Sequence, residues 1–315
     1  MVNQDYLCIS GSLAGKERHF RLKKIVMQAF VLCALLFVIG GCGREDGNAS
    51  GNETSVSDDR IIAATYAIVE ITDALGIDLV GVPTTTKELP ERYKGLPEIG
   101  NPMSPDMEVI KSLNPTDVLS VTTLEYDLTE SFESMNVNAT FANLQSYEEM
   151  KQTILDLGEK YDREKEADAL VSKYDQKIKE IQDNTSKGDS PRVLILLGVP
   201  GSYLVATEHS YVGNLVELLG GTNAIEGQHE EYLSSNTEYL HESNPDIILR
   251  MSHGMPEDVI KMFDEEFKTD DIWKHFDAVK KGRVYDLEES LFGTTSSLQV
   301  DKALEELADI LYPEK

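Results

Sequence analysis

Five histidines downstream of residue 42 and one methionine in a proline-bounded loop carry most of the ligand chemistry in this sequence. The histidines are His209, His229, His241, His253 and His275. His253 is singled out by position, because it follows an apolar run at 246–250 and precedes Pro256, which opens a helical pattern. In open α/β sheets ligands sit at the carboxyl ends of strands, so an imidazole there is a candidate ligand. On the residues alone a structural or surface role is the commoner one for such a histidine, and both readings stay open. Met103 lies in Gly100-Asn101-Pro102-Met103-Ser104-Pro105, outside any apolar stripe, so nothing ties its thioether to a core. Met107 and Met255 are rival thioethers, and Met107 is expected to face the interior of the helix that it begins.

Two further patterns bear on function. Glu108 stands six residues before Asn114-Pro115, and Glu238 stands six residues before Asn244-Pro245. Each Asn-Pro ends a helical stretch and opens an apolar one. Asn-Pro is ordinary helix punctuation, but the shared glutamate points to a structural repeat. Gly198-Val199-Pro200-Gly201-Ser202 looks like a nucleophile elbow, yet Ser202 lacks the Gly-x-Ser-x-Gly setting. No HExxH, Walker A or GxGxxG pattern occurs, so an enzyme is not expected.

These residues need a scaffold, and hydrophobic periodicity supplies one. Strands are predicted at 61–64, 79–82, 117–121 and 139–141, with helices at 67–75, 107–113 and 147–161 between them. A second series places strands at 192–198, 246–250 and 283–285 and helices at 212–219, 257–267 and 298–311. Alternation of this kind indicates βαβ units and mainly parallel sheets. Between the two series, residues 163–182 carry one apolar stripe of Ala167, Leu170, Val171, Tyr174, Ile178 and Ile181. That is a helix about 30 Å long, without Pro or Gly to bend it. The predicted organisation is an α/β lobe at 60–162, a connecting helix at 163–183 and a second α/β lobe at 184–315.

The chain has 315 residues, with 29 Lys+Arg against 56 Asp+Glu and a formal net charge of -27. An acidic surplus of this size repels phosphate backbones, so no nucleic acid is expected as a partner. Arg21, Lys23 and Lys24 precede a 15-residue apolar run at 25–39, followed by Gly40-Gly41-Cys42. A basic cluster, a short apolar core and small residues before a cleavage point describe a secretory signal at 1–41. The run falls short of the ~20 residues that a spanning helix needs. Residues 1–20 lie upstream of the basic cluster and point to a later translation start. Ile39-Gly40-Gly41-Cys42 resembles the bacterial lipobox, which implies that Cys42 is diacylated and becomes the mature N-terminus. Losing residues 1–41 takes the basic and acidic counts to 24 and 54, a balance of -30. It also leaves Cys42 as the only cysteine, which excludes disulfides and thiol catalysis. Residues 42–59 are Gly-, Ser-, Asn- and acid-rich and read as a flexible tether.

With the lipidated cysteine, the two α/β halves and the single connecting helix, the chain resembles the substrate-binding proteins of bacterial iron-complex ABC importers. Within them it is most similar to the haem-receptor lipoproteins of the iron-regulated surface determinant systems of Gram-positive bacteria. The residues carrying the resemblance are LPERYKGLPEIGNPM at 89–103, VLILLGVPGSYLVA at 193–206, SSNTE at 234–238, NPDIILR at 244–250, HGMPE at 253–257 and DIWKHF at 271–276. It implies two Rossmann-like lobes of the class III periplasmic-binding type, with haem between them as transported cargo. It implies Met103 and His253 as axial ligands, a pairing known for haem iron. In so acidic a chain the propionates need backbone donors, and Thr65, Tyr66 and Ala67, with the segment Thr85, Thr86 and Lys87, are the contacts that the resemblance suggests. Glu108 and Glu238, one per lobe, are implied to meet basic residues of the permease. Other implied partners are the ATPase of that permease and upstream cell-wall haem carriers. The implied location is the extracytoplasmic face of the cell membrane. A siderophore or corrinoid receptor of the same importer class is the alternative; such ligands are usually gripped by Arg clusters or aromatic walls.

Overall fold

The computed structural model describes residues 59–185, 190–236, 240 and 243–313. The signal at 1–41, Cys42, the tether up to residue 58, His241 and Glu238 therefore lie outside the described residues. The first part of the chain forms β1 (Ile61–Ala63), β2 (Leu79–Gly81), two-residue strands β3 (Gly100–Asn101) and β4 (Ser104–Pro105), β5 (Asp117–Val121) and β6 (Ala139–Ala142). Four of these make a fully parallel sheet in the order β2-β1-β5-β6. Its central strands are buried from end to end, as parallel strands covered on both faces must be. β3 and β4 pair separately as a small antiparallel hairpin.

The second part forms β7 (Arg192–Val199), β8 (Ser202–Ala206), β9 (Thr222–Asn223), β10 (Tyr232–Ser234), β11 (Ile247–Ser252) and β12 (Val284–Asp286). Their order is β10-β8-β7-β11-β12, with β9 also on β7. β7, β9, β11 and β12 run parallel, whereas β8 runs against them and pairs antiparallel with both β7 and β10. The expected mainly parallel sheet thus holds for the first lobe, while the second is mixed. The cause is local. Pro200-Gly201 sits between β7 and β8, and Gly201 has φ +89°. Pro followed by a left-handed Gly is the chemistry of a type II turn, which sends the chain straight back on itself. The residues that imitate a nucleophile elbow are this turn.

Between the two sheets runs the helix Glu164–Asn184, with Ala167, Tyr174, Ile178 and Ile181 of the predicted stripe buried. The Tyr174 hydroxyl donates to the Leu298 carbonyl at 2.5 Å, and Lys177 pairs with Glu305 at 2.7 Å. Both contacts reach towards the terminal helix Val300–Leu311, which buries Leu304, Leu307 and Leu311. Helix Glu125–Ser134 was not expected, because its only buried residues are Leu128 and Phe132 and most of its surface is acidic and exposed.

Candidate functional site

A cleft of about 500 Å³ is lined by residues from both lobes. One wall starts where β1 ends. Thr65 caps the helix Tyr66–Leu75, and its hydroxyl accepts the Ile68 N–H. Thr65, Tyr66 and Ala67 all line the cleft at that helix start. The Tyr66 hydroxyl donates to the Glu88 carbonyl at 3.0 Å, and Lys87 Nζ lies 4.9 Å from the centre of the Tyr66 ring. Thr85 and Thr86 are not among the lining residues. Thr85 Oγ1 instead accepts the Lys87 N–H at 3.1 Å, so this turn serves to present Lys87, which does line the cleft.

Met103 sits in the turn of the β3–β4 hairpin. Asn101 Oδ1 accepts the Met103 N–H at 2.9 Å, an Asx-type bond that shapes the turn. The side chain is 68% exposed and lines the cleft, so no packing contact competes for its sulphur. Met107 begins the helix Met107–Ser112 and packs against the first-lobe core, as expected.

On the other wall His253 comes directly off β11. Its N–H donates to the Gly198 carbonyl at 2.9 Å, continuing the β7–β11 ladder by one residue. Gly254 and Met255 then take left-handed φ values of 72° and 48°, and the helix Pro256–Thr269 begins. The Gly254 N–H is held by Glu289 Oε1 at 2.8 Å. His253 is therefore an exposed side chain on a fixed backbone, and both it and Glu289 line the cleft. Met255 is 59% exposed but is not a lining residue. Glu108 is exposed in the first turn of its helix, outside the cleft.

Lys87 is the one cationic side chain among the described lining residues, against the carboxylates of Glu70 and Glu289. Burial raises the Glu70 carboxyl above its usual range, with Lys87 opposing. The Tyr66 phenol is also raised, first by burial and then by Glu70, Glu88 and Asp73. Apolar surface comes from Ala67, Pro102, Val121, Leu124 and Leu291. A sulphur and a nitrogen donor from different lobes can cap the two open positions of a metal already held in a planar chelate. No cluster of three or more His, Cys, Asp or Glu among the described residues could hold a bare ion.

Of the candidate segment 85–87 only Lys87 lines the cleft; sequence reasoning missed Glu70 and the loop 289–297, which supplies Ser290, Leu291, Gly293 and Thr294. That loop follows β12, so the rule that finds His253 at a strand's carboxyl end would have found it too.

A family model described as periplasmic binding protein matches residues 61–291. The high-affinity heme uptake system protein IsdE of Staphylococcus aureus (strain Newman) is 43% identical over 293 residues, covering 93% of this chain and 99% of that protein. Among solved structures, an ABC transporter substrate-binding protein from Listeria monocytogenes EGD-e is 54% identical, with a TM-score of 0.78 over 81% of this chain and 99% of that one. S. aureus IsdE complexed with heme is 46% identical, with a TM-score of 0.77 and the same coverage.

Proposed function

The chain belongs to the periplasmic binding protein family, and from that premise we propose that it is the haem-binding lipoprotein of an ABC importer, a receptor with no catalytic role. Haem is its cargo, taken between lobes 60–162 and 184–315 and delivered to the permease. The observation that carries the reading is that Met103 and His253, from different lobes, line one cleft, each with an exposed side chain. A thioether and an imidazole together complete a six-coordinate haem iron. Lys87 and the N–H groups of Tyr66 and Ala67 at the helix start are the donors available to the propionates. Cys42 carries the lipid, 43–59 is the tether, and the folded body stands on the extracytoplasmic face of the membrane. Glu108 and Glu238 are the docking carboxylates for the permease, whose ATPase drives uptake, and cell-wall haem carriers supply the cargo.

A siderophore or corrinoid receptor is the weaker reading. Trp273 is fully buried in the second-lobe core. Arg250 is only 8% exposed and is engaged with Asp286 at 2.6 Å and Asp264 at 3.1 Å. Neither is available to grip such a ligand. Titrating haemin into the purified protein tests the proposal. A saturable Soret band is expected, and its absence would overturn the haem reading.

A further inference from the structure

Glu70 lies on the helix Tyr66–Leu75, one turn beyond Tyr66, and lines the cleft. It has no hydrogen bond and no ion pair within 4 Å among the described residues. The groups that face it can be named from each neighbouring element. Tyr66 shares its helix, Lys87 comes from the loop after β2 and Tyr174 comes from the long helix, while Asp73 and Glu88 act on the same Tyr66 phenol as Glu70 does. His253 and Glu289 line the opposite wall. Of these only Lys87 offsets the Glu70 charge.

We infer that Glu70 is the charge selector of the cleft: an unpaired carboxylate beside the one lining cation, it disfavours cargo carrying carboxylates there unless it takes up a proton. The inference rests on the haem reading and deepens it. A haem propionate arriving at Lys87 engages the only cation that compensates Glu70. Two carboxylates then share one ammonium in a partly desolvated cleft, and like charges in such a site drive one of them to protonate. Binding of a dianionic porphyrin is thus coupled to proton uptake at Glu70. Its affinity falls as pH rises through the Glu70 range, which burial has already moved upward.

The test compares the intact wild-type protein with Glu70→Gln and Glu70→Ala, using haemin and haemin dimethyl ester, which lacks the propionate charges. Soret titrations are run at about pH 5 and about pH 8, both above the ordinary glutamate value of about 4.3. At the higher pH both variants should bind haemin roughly tenfold more tightly than wild type, the factor equal to a one-unit shift in one carboxyl. They should bind the ester no more tightly than wild type does, and their advantage over wild type for haemin should shrink at the lower pH. Equal tightening for haemin and ester would show a change of shape rather than charge and would overturn the inference. So would unchanged haemin affinity in both variants. No Soret band from the wild-type protein would instead remove the haem reading itself.

Discussion

Asn114 and Asn244 occupy the same place in the two lobes, each in the left-handed region, with φ of 45° and 36°. An arginine at the start of each lobe's first strand, Arg60 just before β1 and Arg192 as the first residue of β7, reaches them in the same way. Arg60 donates its guanidinium to the carbonyls of Leu113 and Asn114, and Arg192 donates to the carbonyl of Ser243. The Thr116 N–H returns to the Arg60 carbonyl at 2.9 Å, and the Asp246 N–H returns to the Arg192 carbonyl at 2.8 Å. The short Glu…Asn-Pro repeat in the sequence is therefore the punctuation of two equivalent βαβ units.

A β-branched residue cannot adopt this backbone without strain. Asn114→Val and Asn244→Val should each destabilise the protein by about 1–2 kcal/mol, while glycine at either place should be tolerated. Urea denaturation of the four single variants measures this.

Met103 and His253 are exposed and make no core contacts, so removing either should leave folding intact. Met103→Ala and His253→Ala should keep the wild-type melting temperature, yet each should alter the Soret spectrum of the haemin complex. A spectrum indifferent to both substitutions would exclude axial ligation by this pair.

Glu108 lies outside the cleft lining, and Glu238 is its counterpart in the sequence repeat. Reversing both charges with Glu108→Lys and Glu238→Lys should abolish haem uptake by cells and leave haemin binding by the purified protein unchanged. Undiminished uptake would remove the docking assignment.

Gly198 is where β7 passes beneath the helix Pro256–Thr269. A Cβ there would overlap Val259 and come within 2.6 Å of Phe263. Gly198→Ala should cost about 1–3 kcal/mol through overpacking. Because the Gly198 carbonyl accepts the His253 N–H, the same variant should also weaken haemin binding. Calorimetry and titration on one preparation report both effects.

Tyr93 is buried, donates its hydroxyl to the Ile77 carbonyl at 2.6 Å, and has its phenol pushed up to about 12, chiefly by burial. The unfolded phenol ionises near pH ~10. The folded value is the higher one, so this contribution is complete below about pH 10 and is lost as pH rises towards about 12. Tyr93→Phe should therefore lose less stability than wild type between those limits. Denaturant midpoints measured across that window test the sign.

β1, β2, β5 and β6 of the first sheet and β7, β11 and β12 of the second were legible, because parallel strands buried on both faces read as continuous apolar runs, as 193–197 and 247–249 do. The cleft position of His253 was legible because it follows the carboxyl end of a strand, and that of Met103 because a thioether in a proline loop has no core to fill. What stayed hidden depends on chain reversals and exposure. The antiparallel return at Pro200-Gly201 turns on a single φ, and helix Glu125–Ser134 shows too narrow an apolar stripe to announce itself. Glu70 gave no signal, since a helix glutamate looks solvated until the fold sets it in the cleft beside Lys87.

The long helix between the lobes also bears on delivery. The Leu298 carbonyl that holds Tyr174 follows Ser297, a residue of the cleft lining. The floor of the site is thus riveted to a continuous beam, in a stretch with neither Pro nor Gly at which it could fold. Any change in the spacing of the two lobes must therefore be absorbed outside this helix, in the segments that flank it.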